Sequence, residues 1–166
     1  MTEEIQKKSP NELPIFDLHD KRILDILSVN GRISISELAR KINLSKTPTQ
    51  VRVKRLEAEG CIVGYRAMLD PIRLGLDHVA FVEVTLSDTR EAALTKFNHA
   101  ALQIGEIEQC HMIAGNFDYL LKVRTRSMPA YRRVLGEKIS ALPYVANTKT
   151  FVAMQSVKED TLDTLY

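Results

Sequence analysis

The feature that most constrains the fold is a pair of helical patterns separated by only three residues. Ser34 and Glu37 have the spacing of a capping box. The helix that they open has apolar residues at positions i, i+3, i+4 and i+7, namely Ile35, Leu38, Ala39 and Ile42. Asn43-Leu44-Ser45 follows, and a second helix is predicted to continue to Glu59, just before Gly60. Two short helices joined in this way form a helix-turn-helix, which is found in DNA-binding proteins and also as a plain αα-hairpin.

The second helix of the pair has a polar outer face that suits the major groove of DNA. A glutamine can pair with adenine, a lysine can reach guanine or phosphate, and Val51 can contact a thymine methyl. Thr49 and other residues on the opposite side are predicted to pack inward, and Arg55 can alternatively pair with Glu59 at i, i+4. The candidate DNA-binding residues are Ser45, Lys46, Thr47, Thr49, Gln50, Val51, Arg52, Lys54 and Arg55.

Charge is concentrated in the same half of the chain. The net charge is only +2, but residues 36–66 contain seven basic and three acidic side chains, whereas the segment from Pro71 onward contains eleven of each. A local basic surface is expected where phosphates are bound, although a solvated helix face gives the same composition.

Composition excludes several other classes of protein. The 166 residues include 45% hydrophobic residues, as in a globular chain with a real core, but no apolar run of the roughly 20 residues that span a bilayer. The N-terminus has no secretory signal pattern, and Cys61 and Cys110 lie far apart. A reduced, cytoplasmic protein is therefore expected, with no metal site, no cofactor and no membrane partner.

A first helix is predicted before the helix-turn-helix, capped by Asp17 and extending to about Val29. After the helix-turn-helix, at Gly60, the helical spacing of apolar residues ends. A strand or short hairpin is predicted over 61–69, broken by Asp70-Pro71. The elements that follow are a strand at 78–86, a helix at 89–104, strands at 107–114 and 117–125 joined by a Gly115-Asn116 turn, a helix at 128–142 and a strand at 144–157.

This β-α-β-β-α-β order predicts an α+β protein with a ferredoxin-like sandwich after the helix-turn-helix. Two helices cover only one face of such a sheet. The first and last strands place apolar residues on both faces, so the uncovered face is predicted to be buried in an obligate dimer. The predicted division is a flexible arm at 1–15, a helix-turn-helix domain at 16–62, a strand and hinge linker at 63–77, the sandwich at 78–158 and a tail at 159–166.

The segment from Ile33 to Tyr65 with "SELARKINLSKTP…RVKRLEAEGCIVGY" resembles the DNA-binding half of the leucine-responsive regulator (Lrp/AsnC, feast/famine) family. The segment from Ile107 to Lys158 with "IEQCHMIAGNFDYLLKVRTRSMPAYRRVLGEKISALPYVANTKTFVAMQSVK" resembles its effector-binding half. The resemblance implies a winged helix-turn-helix, a sandwich that dimerises through its sheet and assembles into tetramers or octamers, and a free amino acid as effector. A two-fold dimer implies a roughly palindromic operator. "GLDHVAFVEVTLSDTREAAL" and "SKTP" are also similar to the proline-catabolism activators of the family.

The resemblance also places the family's effector site on this chain. Gly115 and Asn116 would offer backbone donors to a carboxylate, and Asp118 would lie near an amino group. The residues implied for effector binding are Ala114, Gly115, Asn116, Asp118, Met128, Thr148, Thr150, Phe151, Val152 and Ala153. A simple hairpin turn and the core of any sandwich would explain the same pattern. The order Thr49-Gln50-Val51 departs from the family's usual one, which affects the operator sequence that is expected.

Two alternatives belong to other classes of protein. Relatives with this architecture decarboxylate sirohaem, but the four histidines show no metal-ligand spacing, and no nucleophile and base are arranged for catalysis. A sensor that acts through a protein partner is the second alternative. The basic helix favours a DNA-binding regulator over an enzyme.

Overall fold

The computed structural model describes residues 15–158, and both the rest of the predicted arm and the predicted tail lie outside the described residues. The chain forms two compact units, whose described parts are residues 15–68 and 69–158. The division falls inside the segment predicted as a linker. None of the described helices is long and apolar enough to cross a membrane.

The first unit consists of three helices: α1 (Leu18–Val29), α2 (Ile35–Lys41) and α3 (Lys46–Ala58). Their apolar stripes meet in one small core made of Ile23, Leu38, Ile42, Val53 and Leu56. The turn between α2 and α3 depends on Asn43, whose φ of 58° is in the left-handed region that Asn tolerates. The predicted helix-turn-helix is therefore present.

Helix capping differs in detail from the sequence prediction. The Ser34 hydroxyl accepts a hydrogen bond from the Glu37 amide, but the reciprocal bond of a capping box is not formed among the described residues. Both bonds of a box are formed instead between Asp17 and Asp20 at the start of α1. Ser45 occupies the N-cap position of α3 without using its side chain.

The strand or hairpin predicted over 61–69 is not formed. This part of the described chain is irregular, and a turn at 71–75 follows it, in which the Asp70 carboxylate accepts hydrogen bonds from the amides of Ile72 and Arg73. A strand needs a neighbour to pair its backbone groups, and the described part of the first unit contains no other strand. The β-branched and aromatic composition of 61–69 was therefore misleading.

The second unit is the predicted sandwich. Its elements are β1 (His78–Leu86), α4 (Glu91–Ala101), β2 (Ile107–Met112), β3 (Tyr119–Thr125), α5 (Met128–Val134) with a π-helical continuation (Leu135–Ile139), and β4 (Val145–Val152). The strands form one antiparallel sheet in the order β2-β3-β1-β4. This order and direction are those of a ferredoxin-like fold.

Two parts of the sheet depart from the prediction, the end of β4 and the connection between β2 and β3. Strand β4 ends at Val152 rather than at residue 157. Its register places Val152 opposite Ala80, so β1, which begins at His78, has only two further residues to pair with, and the Ala153 amide still donates to the Val79 carbonyl at 2.9 Å. The two-residue Gly115-Asn116 hairpin is replaced by a bend over 113–118, in which the Ile113 amide donates to the Asp118 carbonyl at 2.8 Å. Neither Gly115 nor Asn116 has the positive φ that a two-residue hairpin turn of type I′ requires at both positions.

The core of the second unit lies between one face of the sheet and the helices. Alternate residues of β1 (Ala80, Val82, Val84 and Leu86) are buried there with Tyr119, Leu121, Val123, Phe97 and Tyr131. The opposite face carries Phe81, Leu120 and Phe151, as the apolar pattern predicted. It also carries Glu83, Lys122 and Lys149, so it is less apolar than β1 and β4 alone indicated.

Phe97 is a direct test of this core. Its ring is fully buried and lies 4.4 Å from that of Tyr119, measured between centroids. We expect Phe97→Ala to lower the free energy of unfolding by about 3–5 kcal/mol, because it removes apolar burial and leaves a cavity. Leu102→Ala, just beyond α4 at a side chain that is 79% exposed, should change it by less than about 0.5 kcal/mol. Urea unfolding measures both, and equal effects would contradict this account of the core.

Candidate nucleic-acid interface and effector surface

The solvent-facing side of α3 carries five of the residues predicted to contact DNA. These residues, which we call the recognition face, are Lys46, Thr47, Gln50, Val51 and Lys54. All five are exposed, and none of their side chains forms a hydrogen bond or ion pair within residues 15–158. Val51 is 62% exposed although it is apolar. Two cationic groups, one hydroxyl, one amide and one apolar side chain thus face solvent together.

Thr49 does not belong to this face. Its side chain is fully buried, and its hydroxyl donates to the Ser45 carbonyl at 2.9 Å. Thr49 lies one turn before Val53 on the side of α3 that packs against the first unit's core. The inward packing predicted for Thr49 is thus confirmed, and its place among the candidate DNA-binding residues was wrong, because in this conformation it cannot touch DNA. Ser45 is exposed at the N-cap of α3, next to the recognition face.

Arg52 and Arg55 are bound to α1. Arg52 Nη1 lies 2.8 Å from Asp20 Oδ1 and 2.7 Å from Asp17 Oδ2, and Arg55 Nη2 lies 2.6 Å from Asp20 Oδ2. The Asp20 side chain is only 1% exposed. The alternative pairing of Arg55 with Glu59 is thus replaced by a contact between helices. We call Asp17, Asp20, Arg52 and Arg55 the carboxylate clamp.

The clamp affects the titration of its exposed members. The Asp20 backbone amide, followed by the Arg52 guanidinium, holds the pKa of Asp17 at about 2 against a partial opposing effect of desolvation. The hydrogen bonds that Arg52 donates to Asp20 and then to Asp17 raise the pKa of Arg52. The sequence signal for this cluster was an acidic residue, Asp20, three positions before Ile23 on the buried stripe of α1.

The depressed pKa of Asp17 makes a pH prediction. The ionised carboxylate stabilises the folded state fully above its ordinary value of 3.8, and this contribution is lost as the pH falls through about 2. Asp17→Asn keeps a capping side chain but removes the charge, so its destabilisation relative to wild type should vanish between about pH 4 and pH 2. NMR titration of the Asp17 carboxyl carbon, with unfolding measured at each pH, checks this. A midpoint near 4 would contradict it.

The residues implied for effector binding lie in two places on the second unit. Ala114, Gly115 and Asn116 are exposed in the bend over 113–118. Asp118 closes this bend: its amide donates to the Val84 carbonyl at 2.9 Å, and its Oδ2 accepts from the Leu86 amide at 2.7 Å. One carboxylate oxygen of Asp118 is therefore committed to holding the bend at the carboxyl end of β1.

The residues on β4 are divided between the two faces of the sheet. Thr148 and Thr150 pair with Val84 and Val82 and so lie on the helix-covered face, where Thr150 Oγ1 is 2.5 Å from the Tyr131 hydroxyl. Phe151 lies on the open face opposite Phe81, and Lys149 Nζ lies 4.9 Å from its ring centroid. Val152 is half-exposed at the end of the strand.

Met128 lies at the start of α5 and is half-exposed. It lines an open hollow of about 580 Å³ with Pro129, Arg132 and Arg133. The two arginines were not predicted from the sequence. Their position next to Met128, one helical turn along α5, could have suggested them as anion-binding partners.

One chain does not bring all of these residues together. The bend and Asp118 lie beside Leu86 at one end of β1, whereas the Ala153 amide donates to the Val79 carbonyl at the other end. Val79 and Leu86 are seven positions apart on β1, which is about 23 Å along the strand. A pocket that uses both groups of residues therefore requires more than one chain.

Comparisons with known proteins identify the family. A winged helix-turn-helix DNA-binding model matches residues 16–63, and the model of the Lrp/AsnC ligand binding domain matches residues 79–163. The proline dehydrogenase transcriptional activator of Rhizobium radiobacter is 62% identical over 143 residues, which cover 86% of this chain and 92% of that protein. The chain belongs to the Lrp/AsnC family.

Two further comparisons extend this result. The leucine-responsive regulatory protein of Escherichia coli (strain K12) is 44% identical over 92% of each chain. A transcriptional regulator from Neisseria meningitidis, solved in complex with L-methionine, has a TM-score of 0.82 at 27% identity and covers 89% of this chain and 95% of its own. The predicted α+β fold class and family are confirmed. The chain is a DNA-binding transcriptional regulator and not an enzyme, so the sirohaem alternative is withdrawn.

Proposed function

We propose that this regulator binds a roughly palindromic operator through the recognition faces of two chains and is controlled by a free amino acid bound where sandwich units meet. We further propose that its targets include a gene of proline catabolism. The observation that supports DNA reading is the recognition face itself, which is exposed and without intramolecular partners among the described residues. The relative that is 62% identical is named a proline dehydrogenase transcriptional activator, which supports the choice of target.

The recognition face has the chemistry of base contact. Gln50 can donate to and accept from an adenine edge, Lys54 can donate to guanine or phosphate, and Val51 can pack on a thymine methyl. Lys46 is in the first turn of α3, within reach of the phosphate backbone when the helix end enters a major groove. Since all five residues lie on one helix, a single chain covers only a half-site, and the second half-site requires a second chain.

The open face of the sheet supports the proposed dimer. Phe81 and Phe151 lie directly opposite each other on neighbouring strands, and Phe151 is 43% exposed. Glu83 is flanked by Lys149 on β4 and is on the same face as Lys122 on β3. An apolar patch with both signs of charge can pair with a second copy of itself through a two-fold axis. Further assembly into tetramers or octamers remains part of the proposal.

The proposed effector site is supported by the separation of its residues. The bend over 113–118 exposes backbone amides that can bind a carboxylate, and the free oxygen of Asp118 can accept from an ammonium group. Met128, with Arg132 and Arg133, lies at the other end of the sheet and would contact the effector from another chain. The neighbour from Neisseria meningitidis was solved with L-methionine, which supports an amino acid as the ligand class.

DNA reading is tested with two variants of the recognition face. Gln50→Ala should reduce discrimination between a duplex selected by the wild-type protein and a scrambled duplex by about 1–3 kcal/mol. Lys54→Ala should weaken binding and, if it contacts a phosphate, lower the slope of log affinity against log salt by about 0.9. Lys96→Ala, an exposed lysine of α4, is the control for the loss of one positive charge. Gel shifts in which both variants discriminate like wild type would rule out this face.

Effector binding is tested by thermal shift with each of the twenty amino acids, including L-proline and L-methionine. A ligand at 100 times its dissociation constant should stabilise the folded state by about 2.7 kcal/mol. Asp118→Asn keeps an acceptor for the Leu86 amide but removes the negative charge, so it should fold like wild type and lose most of the shift. Asp77→Asn is the control for charge. A full shift in Asp118→Asn would show that the ammonium group is bound elsewhere.

A further inference from the structure

The carboxylate clamp indicates that Asp20 affects DNA recognition although it is buried and cannot contact DNA itself. We propose that Asp20 is a positioning residue that fixes the rotation of α3 about its axis and holds Arg52 and Arg55 away from DNA phosphates. Contacts of α3 with DNA are thereby confined to the recognition face. This inference rests on the proposed recognition face, but it makes separate predictions about residues outside that face.

The geometry shows how Asp20 holds the helix. Each of its carboxylate oxygens is bound by a different arginine, at 2.8 Å to Arg52 and 2.6 Å to Arg55. Arg52 and Arg55 are three residues apart, so they lie along one edge of α3, between the recognition face and the buried face of Thr49, Val53 and Leu56. Both attachment points hold this edge of α3 against α1, so a rotation of α3 about its axis would break both contacts.

The burial of Asp20 makes this arrangement hard to exchange. Its side chain is 1% exposed, and an ionised carboxylate that loses its partners in such a place becomes strongly unfavourable. A DNA phosphate that took both arginines would leave this charge unpaired. Asp17 adds a second carboxylate contact to Arg52, at 2.7 Å, so Arg52 is held more completely than Arg55.

The same contacts change how much positive charge α3 offers to DNA. Lys46 and Lys54 have no partners within residues 15–158, whereas both arginines lie against carboxylates. A phosphate contact releases about 0.9 counterion, so the salt dependence of binding counts the side chains that reach phosphates. Because the clamp holds Arg52 and Arg55 on carboxylates, we expect neither of them to contribute a phosphate contact to the salt dependence.

The experiment measures log affinity against log salt for the full chain, with a duplex selected by the wild-type protein and a scrambled duplex of equal composition. Arg52→Ala and Arg55→Ala should leave the salt slope within about 0.3 of wild type, well below the 0.9 of one phosphate contact. Asp20→Asn should release Arg55, whereas Asp17 still holds Arg52. Its slope should steepen by about 0.9, and its preference for the selected duplex should fall about tenfold as the scrambled duplex is bound more tightly.

Two variants distinguish the positioning role of Asp20 from a general effect of charge and from a purely structural role. Glu59→Gln removes one negative charge from the end of the same helix segment without touching the clamp, so it should change neither slope nor preference to the same extent. Asp20→Glu retains the charge and should restore much of the preference. A residue that only supported folding would change the amount of active protein but not the salt slope.

The salt slopes of the arginine variants can also contradict the proposal. If Arg52→Ala and Arg55→Ala each reduce the slope by about 0.9, the arginines bind phosphates and the proposal is overturned. If Asp20→Asn does not fold, the arginine variants decide the question by themselves. Failure of Gln50→Ala and Lys54→Ala to affect discrimination would overturn the recognition face instead, which is a separate outcome of separate variants.

Discussion

Strand β1 is the constraint on which the second unit depends, because it pairs with β3 on one side and β4 on the other. Its alternate residues from Ala80 to Leu86 form the centre of the core against Phe97 and Tyr131. Its start at His78 limits how far β4 can be paired, and the amide of its last residue donates to the Asp118 carboxylate. The bend that carries the proposed amino-acid contacts is therefore positioned by the middle of the sheet, although it lies at the exposed end of a hairpin.

The first unit depends on a different interaction, the contacts of Asp20 with Arg52 and Arg55. Its core consists of five buried apolar side chains with partly buried ones packed against them. The buried carboxylate of Asp20 fixes the orientation of α3 relative to α1, because hydrogen bonds have preferred geometries and apolar contacts do not. Three helices of 12, 7 and 13 residues can thus present one defined face, provided that the charges on α1 and α3 meet.

Much of this structure is predictable from periodicity. The three helices of the first unit, the order of the sandwich elements and the bounds of β1 follow from apolar spacing and caps, because these are local properties of the sequence. Residues 61–69 show what local properties omit: a strand exists only where another strand is available to pair with it. The same limit applies to the end of β4 and to the bend over 113–118, which both depend on β1.

The candidate sites were predictable to different degrees for related reasons. A helical wheel separates Gln50 and Lys54 from Val53 without knowledge of any neighbour. It cannot show that Arg52 and Arg55 are bound to residues more than thirty positions earlier, because such a contact depends on how α1 packs. Similarity to the family placed Asp118 and Ala153 in one effector site, but it could not show that they lie at opposite ends of β1, beside Leu86 and Val79.

This separation connects the two proposed activities through assembly. An operator with two half-sites needs two copies of α3, and an effector that touches both ends of the sheet needs two chains as well. Linking two half-site contacts raises affinity far beyond that of either one, by making the second contact intramolecular. An amino acid that binds one arrangement of chains more tightly than another therefore changes the affinity for DNA, by at most the factor by which it prefers that arrangement. Because binding is coupled in both directions, DNA must change the affinity for the amino acid by the same factor. No contact between α3 and the bend over 113–118 within a chain is required for this control.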